Sequence, residues 1–316
     1  MPKKIIIDTD PGVDDAMAIL LAFNSPELEV VALTTVFGNV TTQLGTQNAL
    51  RLVEFAGHPA VPVANGADRP LAVPLAGIAD FVHGQDGLGN VYLPAPLGQP
   101  DPRPAPQLII DLVMQYPGEI TLVAVGPLTN LAIALMLEPR IVHSVAQVVV
   151  MGGAATVNGN VTPAAEANIW HDPHAADMVF TAGWPISMVG LDVTEKTFMS
   201  QEYLAALRGN RTGDFIWQIS RFYQAFHTQT HKGMLGIHTH DPSAIAYLID
   251  PTLFTVTRGP VRVLTEGIGL GMTLLDRRGE WYEANQWSRY APVNVCVDVE
   301  SERLLALYKA RIQAAP

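Results

Sequence analysis

The sequence predicts an α/β protein built on an open, mostly parallel sheet flanked by helices. Short β-branched runs alternate with helix-like segments along most of the chain, and turn residues separate them at intervals typical of β-α-β units. A length of 316 residues fits one large α/β domain, and no linker divides the chain convincingly. We therefore expect residues 1–316 to form a single domain.

The N-terminal elements set this pattern. Residues 5–8 (Ile-Ile-Ile-Asp) begin with a continuous β-branched run, which indicates a strand buried on both faces. Residues 13–23 place two aspartates in a first turn with Ala, Leu and Met beyond it, as in a helix N-terminus. The same reasoning predicts strands at 30–36, 61–63, 120–125, 145–151 and 186–191, and helices at 42–56, 131–137, 173–182 and 301–312.

Three stretches depart from the alternation. Residues 65–106 are rich in Pro, Gly and Ala and are predicted to form a long loop, which in a compact domain is often functional. Residues 201–250 are predicted to be mainly helical and to form a cap over the strand ends. Residues 255–299 are predicted to form further strands and hairpins.

The composition excludes several classes of protein. Nineteen Lys and Arg against thirty Asp and Glu give a net charge of −11, which argues against a nucleic acid polymer as partner. The single cysteine, Cys296, excludes an internal disulfide and fits a reducing compartment. The longest apolar run spans residues 16–23, too short for a membrane span, and the N-terminal apolar run is too short for a secretory signal. We expect a cytoplasmic protein with no membrane partner.

The strongest chemical signal is an acidic stretch directly after the first strand. Asp8, Asp10, Asp14 and Asp15 fall within eight residues, with a Pro-Gly turn between them. Carboxylates this close repel one another, and a hard divalent cation offsets the repulsion. Oxygen ligands favour Ca²⁺ or Mg²⁺ over Zn²⁺. One or two such aspartates would fit a solvated helix N-terminus, but four after a buried strand favour a metal site.

A second polar group follows the strand predicted at 145–151. Asn160, Glu166 and Asn168 supply the amide and carboxylate groups that bind the vicinal hydroxyls of a sugar. Asn and Gly are ordinary loop residues, so the signal depends on its position beyond a strand end.

A third signal surrounds His240 and Asp241. Asp241 can cap the helix that Pro242 begins and still present an oxygen to a metal. His240 can donate a proton near neutral pH. Zinc binding by His238 and His240 is conceivable, but no cysteine or third histidine lies close by in the sequence.

The predicted long loop carries a fourth signal, the glycine-rich segment 83–89. Its three glycines indicate tight turns or backbone close to a ligand. Their spacing matches neither a dinucleotide-binding fingerprint nor a phosphate-binding P-loop.

Taken together, these motifs resemble the nucleoside hydrolase family, the inosine-uridine-preferring nucleoside N-ribohydrolases. The Asp-Thr-Asp-Pro-Gly-Val-Asp-Asp segment at 8–15 matches that family's specific signature. Further matches are residues 125–130, 151–153, the Asn160, Glu166 and Asn168 set, and 240–242. The resemblance implies a Rossmann-like nucleoside hydrolase fold, one bound Ca²⁺, and a homo-oligomer, as a dimer or a tetramer.

The resemblance also implies roles for individual residues. Asp10, Asp15 and Asp241, with the carbonyl of Val125, would bind Ca²⁺. Asp10 would also act as the base toward water, and His240 as the acid toward the departing base. The residues implied in holding the ribose are Asp14, Asn39, Met151, Asn160, Glu166, Asn168 and Asp241.

Three functions remain open from the sequence. The favoured one is Ca²⁺-dependent hydrolysis of the N-glycosidic bond of a ribonucleoside through an oxocarbenium-like transition state. The second is a phosphohydrolase with an aspartate nucleophile, which needs a phosphate cradle and usually a lysine near a strand end. The third is a non-catalytic, calcium-dependent sugar-binding protein. The sequence does not decide between purine and pyrimidine nucleosides.

Overall fold

The computed structural model describes residues 1–230, 233–278 and 283–315, and their strands form one large sheet and two small ones. The strands are β1 (Lys3–Thr9), β2 (Leu28–Thr35), β3 (Val63–Asn65), β4 (Ile120–Ala124), β5 (Gln147–Met151), β6 (Ile186–Val189), β7 (Phe198–Ser200), β8 (Gly236–His238), β9 (Phe254–Gly259), β10 (Val261–Val263), β11 (Thr273–Leu275) and β12 (Val293–Val299). The helices are α1 (Val13–Phe23), α2 (Thr42–Phe55), α3 (Asp80–His83), α4 (Ala105–Gln115), α5 (Thr129–Leu137), α6 (Ala167–His171), α7 (Pro173–Thr181), α8 (Leu191–Thr194), α9 (Gln201–Ala205), α10 (Arg211–Thr230), α11 (His240–Ile249) and α12 (Ser301–Gln313).

The topology of the large sheet indicates where a ligand is expected to bind. Within the described residues its strand order is β3-β2-β1-β4-β5-β6-β12-β9, and all pairs are parallel except β12 with β9. The chain runs outward in one direction from β1 through β2 to β3, and in the other from β4 onward. The strand order therefore reverses between β1 and β4, and the crevice at the carboxyl ends of these strands is where open α/β sheets bind ligands.

The first strand shows how the sheet builds two hydrophobic cores. Ile5 and Ile7 pack into the core that contains α1, α10, α11 and α12, whereas Ile6 packs into the core that contains α4, α5 and α7. Alternate side chains of a strand point to opposite faces, so a strand buried on both faces needs apolar residues at every position. The continuous isoleucine run is thus explained by helices on both sides.

Most predicted elements are confirmed with small shifts at their ends. The third strand lies at Val63–Asn65 rather than at 61–63. The predicted loop 65–106 contains the short helix α3 and reaches the start of α4, a helix that the sequence analysis did not identify. Helix α4 buries Leu108, Ile109 and Val113 at helical spacing, so the sequence does contain the pattern that predicts its apolar face. The proline-rich stretch before it gives no indication of where the helix begins.

The predicted helical cap is only partly correct. Helix α10 lies against α3 and over the site, as a cap should. Helix α11 instead packs against α1 and is buried along nearly its whole length, so it belongs to the layer beside the sheet. Among the helices of the described residues, none combines the length and the apolar character needed to cross a membrane.

Candidate active site

Four buried carboxylates meet at the carboxyl end of β1, and we call them the acidic cluster: Asp10, Asp14, Asp15 and Asp241. Asp10 follows β1, Asp14 and Asp15 occupy the first turn of α1, and Asp241 occupies the first turn of α11. One ligand atom from each of Asp14, Asp15 and Asp241 lies within 4.8 Å of the others. The packing of α11 against α1 brings a residue more than 200 positions away into the cluster.

Backbone amides orient two members of the acidic cluster. Asp15 accepts hydrogen bonds from the backbone N–H groups of Asp10 (3.2 Å) and Gly12 (2.9 Å), and from the side chain of Asn39 (3.0 Å). Asp10 Oδ2 accepts one from the Asn39 backbone N–H at 2.6 Å. The close approach requires Gly38, because a Cβ there would lie 2.0 Å from Asp10 Oδ2 and the residue has φ of +155°.

Two fully buried carboxylate oxygens of the cluster have no hydrogen-bond partner among the described residues. Asp10 Oδ1 and Asp14 Oδ1 are both buried and unpaired within the described part of the chain. An unpaired buried carboxylate oxygen is costly, and such groups are normally paired with a cation or protonated. Because the cluster itself offers only carboxylate oxygens, it fits a hard divalent cation. Such an ion could bind to Asp14, Asp15 and Asp241, with Asp10 beside them.

The pKa values of the cluster reflect this accumulation of acids. Burial raises the pKa of Asp10 well above its usual range, and the charge of Asp15 raises it further. Burial and the charges of Asp14 and Asp15 likewise raise the pKa of Asp241. Burial raises the pKa of Asp14 to about 6. Without a cation, the cluster therefore relieves its charge by retaining protons.

Asp8 does not belong to the acidic cluster, although the sequence suggested four adjacent acids from residues 8 to 15. Its Oδ1 accepts hydrogen bonds from Thr34 (2.6 Å) on β2 and from Asn130 (2.8 Å) on α5. Burial raises the pKa of Asp8 to about 7. The fourth acid of the cluster is Asp241, which no local pattern around Asp8 could reveal.

The segment after β5 forms a second wall of the site. Asn168 Nδ2 donates to the carbonyl oxygens of Val125 (3.0 Å) and Met151 (3.1 Å), and so joins the ends of β4 and β5. Glu166 caps α6 and accepts from the backbone N–H groups of Gly153, Asn168 and Ile169. Burial raises the pKa of Glu166 to about 7.

Asn160 lies apart from the buried site residues. Its side chain is exposed, and its Oδ1 accepts a hydrogen bond from the Ala167 backbone N–H at 3.0 Å. It therefore fixes the start of α6 in the described structure. Asn39 is similarly engaged, since its side chain donates to Asp15 and not toward open space.

Imidazole and phenol rings form the opposite wall, which we call the aromatic wall: His83, Tyr223, His227, His238 and His240. Successive ring centroids along this series lie 5.3, 4.6, 6.3 and 5.8 Å apart. The rings come from α3, α10, β8 and α11. The Tyr223 hydroxyl lies 3.5 Å from Asp14 Oδ2, so this wall meets the acidic cluster.

Burial favours the neutral form of two histidines of the aromatic wall, His240 and His83. Burial lowers the pKa of His240 well below its usual range, and the neighbouring imidazoles, His238 first, lower it further. Burial lowers the pKa of His83 to about 4 although the charge of Asp15 opposes this shift. His83 Nδ1 accepts the Val13 backbone N–H at 3.2 Å and thereby caps α1 from a distant loop.

The sequence analysis did not assign His83 to the site. It noted the glycines of segment 83–89 but gave the histidine no role. The local sequence carries no signal for it, because its contacts to Val13 and Tyr223 depend on how the loop folds back over α1.

Comparison with known proteins decides the family. The family model described as inosine-uridine preferring nucleoside hydrolase matches residues 5–306. The chain belongs to this family. Uridine nucleosidase 1 of Arabidopsis thaliana is 46% identical over 314 residues, covering 98% of this chain and 93% of the relative. The inosine-uridine preferring nucleoside hydrolase of Crithidia fasciculata is 43% identical, covering 97% and 96%. A solved plant nucleoside hydrolase superposes with a TM-score of 0.96 at 45% identity, covering 100% of both chains.

Family membership settles the class of chemistry. The protein is a nucleoside hydrolase, an enzyme that hydrolyses N-glycosyl compounds. It is neither the phosphohydrolase nor the non-catalytic sugar-binding protein that the sequence left open. The predicted fold class is confirmed, because the mostly parallel sheet flanked by helices is that of the solved nucleoside hydrolases.

Proposed function

We propose that this nucleoside hydrolase uses Ca²⁺ to cleave the N-glycosidic bond of ribonucleosides, releasing the free base and ribose. Uridine and inosine are the substrates we propose, following the names of the relatives. The observation that carries the proposal is the pair of buried, unpaired oxygens, Asp10 Oδ1 and Asp14 Oδ1, at the strand-order reversal. The aromatic wall lies beside them, with His83 Nδ1 3.8 Å from Asp14 Oδ1 and the Tyr223 hydroxyl 3.5 Å from Asp14 Oδ2.

We assign the metal to Asp10, Asp15 and Asp241, together with the Val125 carbonyl oxygen. Asp14, Asp15 and Asp241 are the group whose ligand atoms lie within 4.8 Å of one another, and we follow the family resemblance in taking Asp10 rather than Asp14 as the third carboxylate ligand. Oxygen donors alone favour Ca²⁺ or Mg²⁺, and the cluster's carboxylates supply the negative charge that either ion needs. When bound, Ca²⁺ supplies positive charge that polarises a water molecule and two ribose hydroxyls. Asp14 lies within the same group of carboxylates, and we assign its unpaired Oδ1 to a ribose hydroxyl.

The residues of the chain divide the remaining chemistry between them. Water attacks the anomeric carbon as the C–N bond breaks, and Asp10 Oδ1 accepts a proton from that water. Positive charge develops on the ribosyl group, and the carboxylates around it stabilise that charge. The bonding electrons leave with the base, which His240 assists by donating a hydrogen bond from its ring N–H.

We assign the sugar itself to Asn168, Glu166, Asp241 and Met151, which line the crevice beyond β4 and β5. For Asn39 and Asn160 we propose a positioning role as well as contact with ribose. Asn39 Nδ2 would hold Asp15 in place, and Asn160 Oδ1 would hold the start of α6. Each amide has a second polar atom, so either side chain can keep its present hydrogen bond and still contact ribose.

We propose further that the enzyme is a cytoplasmic homo-oligomer, a dimer or a tetramer. The proposal rests on the family resemblance, on the lone buried Cys296 and on exposed apolar side chains such as Ile268 and Leu97. Light scattering of the purified full chain measures the mass directly, and a monomer would contradict the proposal.

One assay tests the proposed function. The purified protein is incubated with uridine, inosine and p-nitrophenyl riboside, with and without EDTA, and the free base or nitrophenol is measured. We expect cleavage of the nucleosides, loss of cleavage with EDTA, and recovery when Ca²⁺ is added in excess. Cleavage that is indifferent to chelation would refute the calcium assignment. Absence of cleavage under all conditions would refute the substrate assignment.

A further inference from the structure

A buried hydrogen bond joins His240 to Thr194, the last residue of α8. Thr194 Oγ1 lies 2.9 Å from His240 Nδ1, and Thr194 is fully buried. Helix α8 follows β6, and α11 begins at His240, so the contact joins two segments that the chain separates by 46 residues. Nothing in the sequence pattern or in the proposed chemistry above assigns a function to Thr194.

The direction of this hydrogen bond follows from the surroundings of the hydroxyl. Within the described residues, Thr194 Oγ1 has no hydrogen-bond partner other than His240 Nδ1. A fully buried hydroxyl hydrogen is satisfied only if it is donated to an acceptor. The one acceptor within reach is Nδ1, so the hydroxyl donates and Nδ1 carries no hydrogen. A neutral imidazole has one N–H group, and in His240 it must then be on Nε2.

The other side of the ring is open to the site. His240 Nε2 makes no hydrogen bond within the described residues. It is also not one of their fully buried side-chain atoms that lack a hydrogen-bond partner, so it keeps some exposed surface. The residue as a whole keeps 9% of its surface exposed. Nε2 is therefore the ring atom that a ligand can reach, and it is the atom that carries the hydrogen.

We propose that Thr194 is a positioning residue that holds His240 in the Nε2–H tautomer, with this hydrogen available to the departing base. The inference rests on the proposed function insofar as it takes His240 to be the group that assists the base. Without this hydrogen bond, a fraction of the protein molecules would carry the ring hydrogen on Nδ1. In those molecules Nε2 would be an acceptor and could not donate a hydrogen bond to the leaving nitrogen. Thr194 removes that unproductive form.

The test uses three variants of the full-length protein. Thr194→Val keeps the shape of the side chain but removes the hydroxyl, and Thr194→Ser keeps the hydroxyl. Thr197→Val is the matched control, because Thr197 is also fully buried and its hydroxyl contacts Ser301 at 3.2 Å instead of a histidine. Two readouts are needed: the ¹⁵N spectrum of the histidine rings, with His240 assigned from His240→Asn, and the ratio of kcat on inosine to kcat on p-nitrophenyl riboside.

We expect the wild type, Thr194→Ser and Thr197→Val to show only the Nε2–H tautomer of His240. We expect Thr194→Val to show a mixture of the two tautomers. In Thr194→Val, kcat on inosine should fall about tenfold, a part of the usual contribution of a general acid, with little change in KM. The activated nitrophenyl riboside should be affected less.

An Nδ1–H tautomer in the wild type would overturn the inference, as would a Thr194→Val protein with an unchanged ring spectrum and an unchanged kcat ratio. Failure of the proposed function is a separate result. A wild type that cleaves no nucleoside would refute that function, whereas the ring spectrum would still decide the tautomer.

Discussion

The two walls of the crevice are built in different ways. The acidic cluster takes three of its four members from residues 10–15, and backbone amides orient Asp10 and Asp15. The aromatic wall takes its five rings from four separate elements and is held mainly by contacts between rings. One wall concentrates acidic groups, and in the other burial lowers the pKa of His83 and His240 and so favours their neutral forms.

The difference suggests a division of labour. Charge that must be held in a fixed position is placed on a strand end and a helix N-terminus, the most rigid backbone available. Contacts to the departing base come from α3, α10, β8 and α11, none of which is a strand of the large sheet. On this account the acidic cluster is needed for the cleavage of every riboside, and the aromatic wall determines how fast ribosides with different leaving groups are cleaved.

The largest effect is expected from Asp10→Asn. The variant removes both a proposed metal ligand and the proposed base, so turnover should fall about 10⁴-fold, the upper end of the range for a catalytic proton acceptor. Because water activation is needed for every substrate, inosine and p-nitrophenyl riboside should lose activity equally. Steady-state kinetics with both substrates measure this, and circular dichroism checks the fold. A loss of activity confined to inosine would contradict the proposal that the acidic cluster acts on every substrate.

The opposite pattern is expected from His240→Ala. Turnover on inosine should fall about 10²–10⁴-fold, whereas p-nitrophenyl riboside should be affected less because its leaving group needs no protonation. Comparing kcat on the two substrates gives the result. Equal losses on both would count against His240 as the group that assists the base.

A smaller effect is expected where the two walls meet, at Gly12. A Cβ there would lie 2.7 Å from His83 Nδ1 and 2.9 Å from Asn39 Nδ2. Gly12→Ala should therefore displace both side chains, lower stability by about 1–3 kcal/mol and lower turnover about tenfold. Gly77→Ala is the matched control, since a Cβ at Gly77 meets nothing within 4 Å. Thermal unfolding and kinetics should distinguish the two variants, and a fully active Gly12→Ala would show that the walls are independent.

The same contrast explains how far the sequence alone could lead. Strand β1, helix α1 and the acids between them could be predicted because apolar runs, turn residues and charge are local signals. The departure of Asp8 toward Thr34 and Asn130 could not, since it depends on which neighbours β2 and α5 present.

Long-range packing also explains what the sequence missed at the aromatic wall. His83 reaches the site because α3 lies against α10 and its ring packs on Tyr223. Thr194 reaches His240 because α8 packs against α11. No neighbouring residue in the sequence indicates that His83 or Thr194 belongs to the site, so only the structure reveals their contacts.

The central claim is that the acidic cluster binds a divalent cation, and calorimetric titration of the chelator-treated, full-length protein with Ca²⁺ tests it most directly. We predict one ion per chain, bound more tightly at pH 8 than at pH 6. Burial raises the pKa of each cluster carboxyl above its usual value, so protons compete with the ion as the pH falls. Asp241→Asn should abolish binding, and Asp298→Asn, at an exposed ion pair with Lys196, should not alter it. Absence of Ca²⁺ binding at both pH values, with uridine still cleaved after chelation, would contradict the account.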